Sequence, residues 1–291
     1  MHVLTRTLRE YGAALLELLL PRQCAGCQKT WLHKHQGFWC EACRRELCWI
    51  ESPICPRCGR PFPKSPSSAD HLCGDCLQSA FLFDTARSAT QHSGVVRRRI
   101  HQLKFGGQLH WVPPLADLLC QLFRGGEPSP VPPTLSSLFF QQGPDSSFRI
   151  HHSSLVTAEG PAVELVLPVP LHVKRLRQRG FNQAGLLARE FGRRLGLPVL
   201  FHALVRKIWT EPQTRLNREE RLRNVRDAFH VMDVEAVKDR RILIVDDVFT
   251  TGTTLNECAK TLKASGASEV HALTVCRALP DWKTEYENAM G

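Results

Sequence analysis

The sequence has no apolar run long enough to cross a bilayer. Its most hydrophobic N-terminal stretch, LTRTLREYGAALLELLLPRQC, is interrupted by Glu17 and closed by Pro21, short of the roughly 20 residues that a spanning helix needs. No small-residue cleavage site follows it, so nothing marks a secretory leader and the expected compartment is the cytoplasm. Acidic residues are also scarce: 28 Asp and Glu face 38 Lys and Arg, a formal charge of +10. That balance disfavours basic partners and favours phosphate-bearing ones. The G-x-x-x-x-G-K-[ST] spacing of a nucleoside triphosphate loop is missing. So is the tight cysteine run typical of iron–sulfur ligation.

What is present is enough chain, 291 residues of which 43% are hydrophobic, for one large domain and a small one. Leu8, Leu15, Leu16, Leu19 and Leu20 recur at near-helical spacing, which predicts a short amphipathic helix over residues 1–21. Packing on the body is its simplest role, with partner or membrane docking as the alternative.

Eight of the twelve cysteines form four C-x-x-C pairs: Cys24/Cys27, Cys40/Cys43, Cys55/Cys58 and Cys73/Cys76. Paired knuckles of this kind bring four thiolates onto one tetrahedral ion, so a double zinc ribbon over residues 22–79 with about two structural zinc ions follows. Sequential pairing, first four and last four, is the simplest arrangement; a crossed one stays open. Four thiolates per ion leave no position for a water, which removes zinc-assisted hydrolysis from the candidate reactions. So short a segment builds little core of its own, and metal binding supplies much of its folding free energy. Cys48, Cys120, Cys258 and Cys276 stand alone, and a buried apolar role is expected of each.

Residues 80–291 read as a second, larger domain. GVVRRRIHQLKFGG, Gly94 to Gly107, places Val95, Val96, Ile100 and Leu103 near one helical face, with Arg97, Arg98, Arg99 and Lys104 around the others. Those cations are either a solvated surface or a track for a nucleic-acid backbone. Residues 125–161, rich in Pro, Gly and Ser, read as a mobile insertion. Beyond it, VELVLPV, NQAGLLAREFGRRLG, VLFHALVRKI, RRILIVDD, LNECAKTLKASG and EVHALTV alternate β-rich and helical patterns, the signature of a parallel α/β sheet flanked by helices.

RILIV is a continuous apolar run, as expected of a strand buried on both faces, and open α/β sheets place ligands at the carboxyl ends of such strands. There stand Asp246, Asp247, Val248 and Phe249, followed by Thr250, Thr251, Gly252, Thr253 and Thr254 at the start of a helix. Hydroxyls and helix N-terminal amides aimed at one spot suit an anion. Two carboxylates would repel that anion, so they face something else. A sugar phosphate satisfies both, with its ester in the threonine turn and its ribose hydroxyls, with a bound Mg²⁺, at the aspartates.

ILIVDDVFTTGTT, Ile242 to Thr254, closely resembles the phosphoribosyl pyrophosphate signature of type I phosphoribosyltransferases, with Phe249 where a smaller aliphatic is usual. LPVPLHVKRLRQRGFNQA, TEPQTRLNREERLRNVRDAF and the cysteine pairs narrow the resemblance to the ComF family of competence and DNA-utilisation proteins. The resemblance implies a type I phosphoribosyltransferase fold, Mg²⁺ with phosphoribosyl pyrophosphate as ligand, an involvement with incoming single-stranded DNA, and a DNA-uptake helicase as partner. It also implies roles: Asp246 and Asp247 on the ribose, Thr250 to Thr254 on the 5′-phosphate, and the turn from Val169 to Lys174 on the pyrophosphate. A flap from Thr210 to Arg223, including Gln213 and Arg221, would close over the site. Chemistry at an oxocarbenium-like carbon needs cations on the leaving oxygens, and Lys174, Arg175, Arg177 and Arg179 are candidates, with Arg206, Lys207 and Arg221 beside them. No base-recognition pattern is legible in Phe81 to Gly107. The alternatives are therefore a transferase in nucleotide salvage or on DNA, a sugar-phosphate sensor, and a nucleic-acid adaptor with a non-catalytic pocket.

Overall fold

The computed structural model describes residues 22–33, 37–65, 69–78, 81–125, 156–157, 160–161, 163–208 and 228–279. The expected N-terminal helix, the flap residues Thr210, Gln213 and Arg221, and all of the insertion but Gly125 and two short pieces lie outside these residues. The chain divides into two compact units. The described part of the first is residues 22–33 and 37–47; that of the second starts at Cys48.

In the first unit, strands β1 (Arg22–Gln23) and β2 (Trp31–Leu32) pair antiparallel, and a short helix α1 (Glu41–Arg45) follows. Cys24, Leu32 and Cys43 form its small buried cluster. Gly26 is required sterically: a Cβ there would stand 2.5 Å from the Cys43 sulfur.

The second unit opens with a cysteine segment ending in helix α2 (Gly74–Gln78) and then enters a four-stranded sheet. The strands are β3 (Thr85–Gln91), β6 (Leu165–Pro168), β9 (Arg241–Phe249) and β10 (Glu269–Arg277), in spatial order β3-β10-β9-β6, and every neighbouring pair is parallel. The short strands β4 (Val156–Thr157) and β5 (Gly160–Pro161) pair with each other. Helices α3 (Gly94–Gly106) and α4 (Val112–Phe123) lie between β3 and the insertion, α5 (Val173–Arg179) and α6 (Gln183–Leu195) follow β6, and α7 (Thr253–Ala264) links β9 to β10.

Ile242, Leu243, Ile244 and Val245 are all fully buried, because both faces of β9 are covered. Helix α6 packs on β6 and β9, while α7 covers β10. Burying a side chain of this size contributes about 1.5–3 kcal/mol, so β9 is a large share of what holds the sheet together. Ala184, Leu187, Ala188 and Phe191 of α6 are buried, while Leu195, which helical spacing puts on the same face, is half-buried. Asn182 caps that helix by accepting from the Ala184 amide at 3.1 Å.

Three expectations change. VLFHALVRKI does not join the parallel sheet: β7 (Leu204–Arg206) pairs antiparallel with β8 (Phe229–Val231), and only Val199 makes a single bridge to Val166. Arg99 is not solvated: it is 4% exposed, its guanidinium 4.0 Å from the Trp111 ring centre. Cys48 is exposed, whereas Cys120, Cys258 and Cys276 are buried as expected.

Candidate functional site

All four strands of the sheet end on one side, and the chain leaving β6 and β9 encloses a cavity of about 740 Å³ there. Its walls carry Asp246, Asp247, Val248, Phe249, Thr250, Gly252 and Thr254 from the end of β9, Val169 from the end of β6, and Arg175 and Arg179 from α5. Two further cations complete it, Lys104 from the last turn of α3 and Arg206 from the end of β7. Four cations against two carboxylates leave the lining with an excess of positive charge, which suits an anion.

The two aspartates differ. Asp247 is 3% exposed and pairs with the Lys104 ammonium at 2.7 Å. Its backbone amide donates to Asp246 Oδ1 at 2.8 Å. Burial and the neighbouring Asp247 charge push the Asp246 carboxyl well above its ordinary value. For Lys104, burial pulls the ammonium down, but the Asp247 charge and hydrogen bond outweigh it, so the net shift is upward. Burial holds Arg179 and Arg206 below the ordinary guanidinium value.

The threonine turn is built on Gly252, whose φ of 77° belongs to the left-handed region. A Cβ at that position would stand 2.6 Å from the Phe249 ring, so the turn closes over Phe249 only with glycine. Thr251 and Thr253 share a hydroxyl hydrogen bond of 2.8 Å. Thr250 and Thr254 face the cavity. Opposite, Val169 is fixed by its amide to Val245 O at 2.9 Å and by Asn182 Nδ2 donating to its carbonyl at 3.0 Å.

The structure thus gathers the acidic pair, Val248, Phe249, Thr250, Gly252, Thr254, Val169, Arg175, Arg179 and Arg206 around one cavity, whereas Thr251 and the buried Thr253 do not line it. Lys174, Arg177 and Lys207 are exposed and do not line it. Sequence reasoning missed Lys104 as a pocket residue, reading it as a surface cation. Its signal was the placement of KFGG at the helix end, where Gly107 adopts the left-handed cap with φ of 63° and stops α3 at the pocket rim.

The eight paired cysteines form two tetrads, Cys24/Cys27/Cys40/Cys43 and Cys55/Cys58/Cys73/Cys76, the ligand atoms of each lying within 4.8 Å of one another. Pairing is sequential. The donors suit zinc: all are sulfur, and backbone amides already point at them. Gly26 N donates to Cys24 Sγ at 3.3 Å and Cys40 N to the same sulfur at 3.2 Å. Amides of Lys29 and Thr30 lower the Cys27 thiol to about 6, while burial pushes the Cys43 thiol of the same tetrad up. Among the described residues, no helix is long and apolar enough to cross a membrane.

Comparison with known proteins finds two families along the chain. Residues 15–77 match the double zinc ribbon domain family, and residues 176–290 match the phosphoribosyl transferase domain family. Competence protein F of Haemophilus influenzae is 29% identical over 257 residues, covering 88% of this chain and 97% of that protein. DNA utilization protein YhgH of Escherichia coli K12 is 29% identical over 90% of this chain and all of that protein. Competence protein ComFC of Bacillus subtilis is 27% identical over 82% of this chain and 84% of that protein.

Proposed function

Starting from a chain that belongs to the ComF family of double-zinc-ribbon, phosphoribosyltransferase-domain proteins, we propose that it binds phosphoribosyl pyrophosphate with Mg²⁺ in the cavity at the end of β9 and serves the use of incoming single-stranded DNA. The observation that carries the reading is the union, on one 740 Å³ cavity, of a threonine-lined helix start, a carboxylate pair and four cations. The helix start offers amides and hydroxyls to the 5′-phosphate. Asp246 and Asp247 accept from the ribose hydroxyls. Arg175, Arg179, Arg206 and Lys104 face the diphosphate, where they stabilise the charge that develops as it leaves. Mg²⁺, when bound with the ligand, adds charge neutralisation on the same oxygens. The chain's own part is to orient the sugar and hold the leaving group.

The DNA role is supported by the names of two relatives that the chain spans almost end to end and by the excess of basic residues. Single-stranded DNA binding is then expected to weaken steeply with salt. The pocket reading is tested by calorimetry with phosphoribosyl pyrophosphate and Mg²⁺. One site per chain is expected, with binding collapsing in Asp247→Ala. Undiminished binding by Asp246→Ala/Asp247→Ala would place the ligand elsewhere, and pyrophosphate release on adding an acceptor separates a transferase from a sensor.

A further inference from the structure

We propose that Arg277 is a positioning residue that ties the second cysteine tetrad to the threonine turn, so that the metal held by Cys55, Cys58, Cys73 and Cys76 governs the order of the phosphate-binding loop. The inference rests on the reading of Thr250–Thr254 as that loop.

Arg277 ends β10 and is 6% exposed. Its Nη1 donates to the Cys58 carbonyl at 2.7 Å, and its Nη2 lies 3.7 Å from Cys58 Sγ. The same guanidinium lies 4.0 Å from the ring centre of Phe249. Phe249 is the residue on which the turn closes, since a Cβ on Gly252 would meet its ring. The backbone repeats the link: Ala278 N donates to Phe249 O at 2.8 Å. One side chain therefore touches a zinc ligand on one side and the floor of the candidate phosphate loop on the other.

The rest of the tetrad is anchored in the same core. The four cysteines belong to one buried cluster with Phe81, Phe83, Phe249 and Leu255. Gly59, with φ of 70°, lets the knuckle approach β3 so closely that a Cβ would stand 2.6 Å from Ala86 O. Ala86 N in turn donates to Arg57 O at 2.7 Å. Four thiolates around a divalent ion carry a net negative charge, which holds a guanidinium in place. Without the metal the knuckle that carries Cys58 loses what fixes it, and Arg277 loses the carbonyl and sulfur that hold it over Phe249.

The test uses the full chain with Arg277→Met, which keeps the bulk and removes the donors. Two readouts are taken: zinc release to a chromogenic chelator, and hydrogen exchange of the Thr250–Thr254 amides without ligand. Loss of an outer partner of a metal ligand is expected to speed release from one of the two sites by about tenfold or more, with loop exchange rising by a similar factor. Arg277→Lys, which keeps the charge without the fork, restores part of the protection. Unchanged loop exchange in Arg277→Met would overturn the proposal. Should that variant not fold, Cys27→Ser, in which the second tetrad alone is intact, is titrated with chelator. Loop exchange must then rise in step with loss of that zinc, and a loop that stays protected after the metal has gone is equally fatal. Coupled exchange in a protein that does not bind phosphoribosyl pyrophosphate would refute the ligand reading and leave this linkage standing.

Discussion

Replacing Lys104 with methionine removes a cation from the pocket while keeping the length of the side chain. In the native protein its ammonium stands 2.7 Å from Asp247, with the two side chains 22% and 4% exposed. Breaking a fully buried ion pair costs about 3–5 kcal/mol, because the surviving charge is left in a poor solvent, whereas an exposed pair is worth about 0.2–1 kcal/mol. Lys104 lies between these limits, and Arg179, whose charge also acts on Asp247, compensates further. A loss of about 2 kcal/mol follows, which for a protein of this size lowers Tm by about 4–8 °C. The assay is a thermal double-mutant cycle of Lys104→Met with Asp247→Asn, in which the pairwise coupling is expected near 2 kcal/mol. A pH series adds an independent check. The folded-state value of Lys104 lies above its ordinary 10.5. Its stabilisation is therefore complete below pH 10.5 and fades as pH rises through the folded value, so the gap between native and Lys104→Met narrows only in strong alkali. A coupling below about 0.5 kcal/mol would refute the reasoning, because surface-like pairs give that little.

Three other outcomes are expected. Metal analysis should find about two zinc ions per chain, one for each four-thiolate set, and Cys58→Ser should reduce this to about one. Asp246→Asn should raise Tm at neutral pH while weakening ligand binding: the carboxyl is held above its ordinary 3.8, so the folded state is penalised once pH passes 3.8 and the penalty is complete above the raised value. Gly252→Ala should cost about 1–3 kcal/mol, from a left-handed backbone and a clash with Phe249, read as a lower Tm and a loss of ligand affinity.

Much of this architecture was legible in the residues themselves. RILIV announced a strand buried on both faces, because a continuous apolar run has no other comfortable place in an α/β protein, and Ile242 to Val245 are indeed fully buried. The cysteine spacing gave the four knuckles, since a C-x-x-C turn is a local structure that needs little tertiary context, whereas which knuckles share a tetrad is set by the fold. Lys104 and Arg277 were not legible. Each is one cation among many in a basic sequence, and each acquires its role from a partner far along the chain, Asp247 in one case and Cys58 in the other. Arg99 was misread for the same reason: helical spacing tells which face a residue occupies but not that Trp111 waits to cover it. β7 was misassigned because a β-rich run does not state whether its neighbour is the central sheet or a hairpin partner.

The most direct test is a crystal structure of the protein with phosphoribosyl pyrophosphate and Mg²⁺. The 5′-phosphate should lie against the amides and hydroxyls of Thr250 to Thr254, the ribose hydroxyls against Asp246 and Asp247, and the diphosphate toward Arg175 and Arg179. Ligand density at any other place on the chain, with this cavity unchanged, would contradict the account.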